Sequence, residues 1–149
     1  MVCRRGRQHD WLVEAKYPGL NVTGTGESGR ERYTGSTMSC LFCRIVEGAI
    51  PSTPVFQDAV SYAFADLHPQ APVHVLIVPR EHISSMADAD QSQAALLGHL
   101  HWVAAEIARG HGLHKGYRIV VNTGEDGGQT VDHLHLHLLG GRAMTWPPG

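Results

Sequence analysis

The sequence predicts an α+β fold, a meander of antiparallel strands with one long helix inserted, and three observations carry that prediction. Short apolar or alternating segments bounded by turn residues, at 55–57, 60–65, 73–78 and 117–122, mark strands. One stretch, Asp88 to Gly110, carries a single apolar stripe at helical spacing, made of Leu96, Leu100, Val103 and Ile107. Near the C-terminus, Asp132-His133-Leu134-His135-Leu136-His137-Leu138-Leu139 alternates histidine with leucine. A strand of period two puts those three imidazoles on one face and the leucines on the other.

Each element has a local reason. Leu41 to Glu47 sets Leu41, Phe42, Ile45 and Val46 at helical spacing and stops at Gly48 before Ile50-Pro51, which predicts a short helix. Val55-Phe56-Gln57 and Val60 to Ala65 flank the turn-like Asp58-Ala59 as a hairpin, with Val60, Tyr62, Phe64 and Asp66 sharing a face. Val73 to Val78, closed by Pro79, is a nearly unbroken apolar run, the pattern of a strand covered on both sides, and its one polar member is His74. Asp88 and Gln91 have the spacing of a capping box ahead of the long helix, which Gly110 or Gly112 ends. Tyr117 to Asn122 alternates as a strand with Arg118, Val120 and Asn122 on one face, and the loop Gly124-Glu125-Asp126-Gly127-Gly128-Gln129-Thr130 leads into the histidines. The tail Trp146-Pro147-Pro148-Gly149 cannot enter a sheet interior, since proline has no N–H, and is expected to lie over a surface.

Composition bounds the function classes. At 149 residues with 42% hydrophobic content the chain supports one cored domain. A net charge of -2 and the absence of any Lys/Arg run of motif length argue against a nucleic-acid partner. No stretch nears the roughly 20 apolar residues of a membrane span, and the N-terminus lacks the apolar core of a secretory signal. Three cysteines, two of them as Cys40-Leu41-Phe42-Cys43, make no disulfide framework and fit a reducing, cytoplasmic setting. Residues 1–37 carry six Lys/Arg and four Asp/Glu, so they are +2 while 38–149 are -4, and no periodicity survives between Gly19 and Thr37. This stretch reads as a disordered extension, either a translated leader upstream of a start at Met38 or a genuine flexible tail, and 38–149 as the domain.

Three imidazoles on one face, beside a Gly-rich loop, suit a bound phosphate. Two other readings stay open on the residues alone. Alternate histidines also suit a catalytic metal in a phosphohydrolase, and the same face can serve a nucleotide-binding regulatory or scaffold protein with incidental hydrolysis. His99, His101, His111 and His114 show no partner pattern and read as surface.

Gln129 to Leu139 resembles the His-φ-His-φ-His-φ-φ pattern, φ being apolar, of the histidine-triad (HIT) superfamily. Asp66 to His74, Val78-Pro79-Arg80-Glu81-His82-Ile83, and Gly140-Gly141-Arg142 through Gly149 look like its Hint branch, so the resemblance spans 40–149. It implies a five-stranded antiparallel sheet with one long and one short helix, continued across a homodimer. It also implies hydrolysis of purine nucleoside phosphoramidates, AMP or GMP joined to an amine, with no cofactor required for catalysis. By similarity His135 attacks the α-phosphorus, His137 hydrogen-bonds the phosphate, His74 completes the polar cluster and His133 orients its neighbours. Thr130 stands where the family usually has serine. Asn122 and the backbone donors of Gly128 to Val131 would hold phosphate oxygens, and Asp66 the ribose hydroxyls. Leu41, Phe42, Ile45, Phe64 and Leu67 would form a slot for the purine, and Trp146 would reach the other subunit's site. Some similar bacterial proteins bind structural zinc through a set that here is Cys40, Cys43, His82 and His133; the alternative is a pair of buried free thiols. Asp132 departs from the family, which often has an aromatic residue there; it is expected to sit exposed at the strand end or to adjust leaving-group preference.

Overall fold

A computed structural model describes residues 40–148, so the expected disordered extension at 1–37 and the alternative start at Met38 lie outside the described residues. Helix α1 (Leu41–Val46) is followed by strands β1 (Pro54–Gln57), β2 (Ser61–Ala65) and β3 (Val73–Pro79), the long helix α2 (Ala94–Gly110), and strands β4 (Tyr117–Val120) and β5 (Leu136–Gly140). The strands form one sheet in the order β1-β2-β3-β5-β4, antiparallel throughout. The fold is the expected five-stranded α+β arrangement. Among the described residues no helix is long and apolar enough to cross a membrane.

The apolar run of β3 takes the centre because both of its faces are covered. Val75 and Ile77 point to one side, where Leu136 and Leu138 of β5 and Ala63 of β2 meet Leu100, Val103, Ala104 and Ile107 of α2 in the main core. Register puts Leu76 opposite His137 and Phe64, so His74, Leu76 and Val78 share the other face with His137, Phe64 and Tyr62. On that face α1 lays Phe42 and Ile45 against Phe64, Leu76 and Val78. The sheet thus has a leucine side sealed by α2 and a histidine side partly covered by α1.

Four local expectations change. The capping box is Asp90 with Gln93: Asp90 Oδ1 accepts from the Ser92 N–H at 2.7 Å, and Gln93 Oε1 accepts from the Asp90 N–H at 2.9 Å. Asp88 is engaged elsewhere, accepting from the Ser85 hydroxyl at 2.6 Å in a separate 3-10 turn, Met86–Asp88. Strand β4 ends at Val120, leaving Asn122 in the following loop. Strand β5 begins only at Leu136, because the Leu134 N–H bonds the Ile83 carbonyl at 2.6 Å and the His133 N–H bonds Val131 at 2.8 Å. His133 and His135 therefore precede the ladder, although Leu134 still fills the main core. His99 is not an unpartnered surface residue: its Nε2 lies 2.6 Å from Asp58 Oδ2 and its ring stacks on Trp102 at 5.5 Å.

Asp58 knots the β1–β2 hairpin. Its Oδ1 accepts from the Val60 N–H at 2.9 Å, the Ser61 N–H at 2.7 Å and the Ser61 hydroxyl at 2.9 Å. Burial raises its pKa, but these donors and His99 outweigh burial and hold the carboxyl below its ordinary 3.8. A carboxylate with a depressed native pKa contributes stability above the unfolded value and loses it as pH falls through the native one. Asp58→Ala is therefore expected to cost about 1–3 kcal/mol at pH 7. The gap to wild type should narrow below pH 3.8, which urea titrations across that range measure. A gap independent of pH would rule out the ionised carboxylate as its source.

Candidate active site

His135 is buried between α1 and the sheet, with Phe42 edge-on to its ring at 5.2 Å and His137 at 5.0 Å. Its Nδ1 is 2.6 Å from the carbonyl oxygen of His133. A carbonyl only accepts, so Nδ1 carries a proton, and in the neutral ring the lone pair is on Nε2. No hydrogen bond among the described residues occupies that Nε2.

His74 and His137 form the second part. The Gln70 backbone N–H donates to His74 Nδ1 at 3.1 Å, which forces the His74 proton onto Nε2. That Nε2 lies 2.9 Å from His137 Nδ1 and donates to it, so the remaining proton of neutral His137 sits on Nε2. Asp66 Oδ2 is 3.5 Å from His74 Nε2, while its Oδ1 accepts from the His68 N–H at 2.8 Å. Burial, with His135 and His74 adding, pushes His137 down to about 4. Burial also lowers His74, against the raising effect of Asp66. Both rings are neutral at pH 7. Ligand atoms of Asp66, His74 and His137 lie within 4.8 Å of one another. Coordination through His74 Nε2 would move its proton to Nδ1, against the Gln70 N–H, so the trio is built as a hydrogen-bond relay rather than a metal cradle.

A different cluster has the opposite character. Ligand atoms of Cys40, Cys43, His82 and His133 also converge within 4.8 Å. His133 Nδ1 is 3.4 Å from Cys40 Sγ and 3.5 Å from Cys43 Sγ, and His82 Nδ1 is 3.3 Å from Cys43 Sγ. The His133 Nε2–H donates to the Pro79 carbonyl at 2.9 Å, which leaves Nδ1 as a lone pair aimed at the thiols. This is how outer contacts prepare an imidazole ligand. Burial, opposed by the Pro79 contact and helped by His82 and His135, takes His133 down to about 4. Burial and Cys40 push the Cys43 thiol up to about 12, a penalty that a dication beside it would reverse. The donor set fits a tetrahedral dication.

The loop before the histidines offers backbone donors unevenly. Gly128 N–H already bonds Glu125 at 2.9 Å and Gln129 N–H bonds Gly124 at 3.0 Å, while those of Thr130 and Val131 make no hydrogen bond among the described residues. Asn122 Nδ2 reaches the Gly128 carbonyl at 3.5 Å, a long contact. Gln129 ties the loop down, its amide donating to the Ser84 and Val131 carbonyls and accepting from the Gly124 N–H. The sequence shows a glutamine in a Gly-rich loop; the carbonyl of Ser84, 45 residues away, is visible only in the fold. The expected purine slot divides: Phe42, Ile45 and Phe64 are packed into a floor, whereas Leu41 and Leu67 lie outside that cluster at 45% and 86% exposure. Trp146 is 85% exposed, and Asp132 is exposed.

Against this geometry, residues 47–144 match the HIT domain family. The chain is 46% identical to a 14 kDa zinc-binding protein of Zea mays, over 73% of this chain and 87% of that protein. A HIT family hydrolase from Legionella pneumophila superposes with a TM-score of 0.74 at 50% identity, covering 74% of this chain and all of that one. A histidine triad nucleotide-binding protein from Candida albicans gives a TM-score of 0.63 at 31% identity, over 73% and 83% of the two chains.

Proposed function

The chain belongs to the HIT domain family, and from that membership we propose that it is a purine nucleoside phosphoramidase, cleaving the P–N bond of AMP or GMP amines through a nucleotidyl-histidine. The observation that carries the reading is the His135 tautomer, fixed with a free Nε2 lone pair by the His133 carbonyl at 2.6 Å. That lone pair attacks the α-phosphorus to form the P–Nε2 bond, and the P–N bond breaks as the amine takes a proton from solvent; water then cleaves the P–Nε2 bond, giving its oxygen to the nucleotide and its proton back to solvent. His137, its Nε2–H set by the relay from His74, donates to a phosphate oxygen as negative charge builds on it. The hydroxyl of Thr130 contacts the phosphate or the scissile atom, and the backbone N–H groups of Thr130 and Val131 supply the donors not already spent in the loop.

Asn122 and Gly128 border the same phosphate subsite. Asp66 keeps acceptor capacity on Oδ2 for the ribose, and the purine covers the exposed Leu41 and Leu67 above the floor of Phe42, Ile45 and Phe64. Among the described residues the sheet ends at β1 and β4, so a second copy can extend it, and the exposed Trp146 would then reach the partner's site. Zinc held by Cys40, Cys43, His82 and His133 supplies a structural cross-link, with no part in the bond changes. A cytoplasmic setting suits the thiols of Cys40 and Cys43, neither of which is in a disulfide.

Two outcomes follow. A Cβ on Gly127 would stand 2.3 Å from the Thr123 carbonyl oxygen, so Gly127→Ala must displace the loop. With about 1.5 kcal/mol lost from donors to an anion, AMP binding should weaken about tenfold by isothermal titration. Mixing the enzyme with an AMP phosphoramidate and quenching within one turnover should leave a nucleotidyl group on the peptide that carries His135. Cleavage without any such adduct, or cleavage abolished by chelator in a protein that stays folded and keeps the His135 geometry, would point to a metal-dependent phosphohydrolase. Tight AMP binding without cleavage would point to a nucleotide-binding module.

A further inference from the structure

His135 is positioned by something other than the sheet. The ladder of β5 begins at Leu136, so the peptide units from His133 to His135, including the carbonyl that fixes the His135 tautomer, lie outside it. What anchors this stretch is a short set of contacts: the Leu134 N–H to Ile83, the His133 Nε2–H to Pro79, and the His133 ring among Cys40, Cys43 and His82. Cys43 belongs to α1 and Cys40 is its N-cap. The same six-residue helix sets Phe42 against the rings of both His133 and His135, at 6.0 and 5.2 Å. A helix this short has little stability of its own. Leu134 in the main core and the packing of Phe42 and Ile45 on Phe64, Leu76 and Val78 hold these two segments to the sheet, and the four metal-ligating side chains tie the walls around His135, the His133 carbonyl on its Nδ1 side and Phe42 on its ring, to each other.

We propose that metal bound by Cys40, Cys43, His82 and His133 sets the catalytic competence of His135, with His133 as a positioning residue that passes metal occupancy to the nucleophile through its own carbonyl. Binding joins α1, the segment after β3 and the segment before β5 at one point. It thereby holds the Nδ1–H···O=C bond closed and Nε2 aimed outward. Loss of the metal unlinks His133 from α1 while Leu134 stays in the main core and Phe42 and Ile45 stay packed on the sheet, so the nucleophile loses its orientation while the domain keeps its fold and its purine floor. The inference rests on His135 being the nucleophile.

The test compares protein made metal-free under reducing conditions with the same protein given one equivalent of zinc. In the loaded protein the His135 Nδ1–H should give a protected imidazole resonance in proton–nitrogen spectra. In the metal-free protein it should exchange away, with circular dichroism and AMP affinity kept within about threefold while the single-turnover rate falls at least about tenfold. Retention of both the resonance and the rate in folded metal-free protein overturns the inference. If metal removal unfolds the chain, His82→Gln decides: zinc titrated into this weakened centre should raise the resonance and the rate in parallel, and a rate that ignores occupancy overturns the proposal. A zinc-dependent resonance without any phosphoramidate cleavage leaves the positioning intact and removes the proposed activity. Cleavage that proceeds with a zinc-independent resonance does the reverse.

Discussion

Replacing His135 with alanine is expected to slow single-turnover cleavage of an AMP phosphoramidate by about a thousandfold or more, a loss of about 4 kcal/mol of transition-state stabilisation, while AMP still binds. The covalent route needs the His135 Nε2 lone pair, and neither of the other two histidines of the triad offers its equivalent. His133 gives Nε2–H to Pro79 and turns Nδ1 to the thiols, and His137 accepts from His74 on Nδ1 and so carries its proton on Nε2. His137→Ala should therefore cost less, about ten- to a hundredfold, because it removes a donor to phosphate and leaves the nucleophile. The His135 ring is buried against Phe42, so its removal also opens a void. His135→Asn controls for that, since its amide can still donate to the His133 carbonyl; it should be as inactive as the alanine variant. Normal turnover by either variant at position 135 would end the covalent mechanism.

Leu136→Ala is expected to destabilise the domain by about 2–5 kcal/mol, with the melting temperature lower by roughly 10 °C or more. Leu136 has no exposed surface, pairs with Ile77 and packs beneath α2, so truncation leaves a cavity walled by residues that the sheet and helix hold in place. Its side chain points away from His135 and His137, and the folded fraction should keep its activity per molecule. Urea unfolding measures this as a lower midpoint at constant slope. A loss under about 0.5 kcal/mol would mean that the leucine face is not the core.

Elements with one unambiguous period were legible in the sequence. The apolar run of β3 and the stripe of α2 stand where expected, and so do the short helix and the hairpin. The misses share a cause, which is competition between local patterns that only distant contacts resolve. Asp88-x-x-Gln91 and Asp90-x-x-Gln93 both have capping-box spacing, and the Ser85 hydroxyl, by taking Asp88, leaves the cap to Asp90. The alternation from His133 to Leu139 suggests one strand, but the Ile83 carbonyl claims the Leu134 N–H and delays the ladder to Leu136. The hydrogen-bond partner of His99, Asp58, lies 41 residues earlier, so no local spacing announces it.

By itself the sequence determined that histidines and leucines alternate from 133 to 138, which in extended backbone sends them to opposite sides. It also carried the family pattern and the four residues suited to a metal. Only the tertiary structure decided that the three histidines are unequal. The position of an imidazole proton is set by whatever donor or acceptor lies opposite each nitrogen. For His133, His135 and His74 those groups are the carbonyls of Pro79 and His133 and the N–H of Gln70. Almost every residue carries such an N–H and every residue such a carbonyl, so no pattern of side chains announces which of them the fold will bring to a ring.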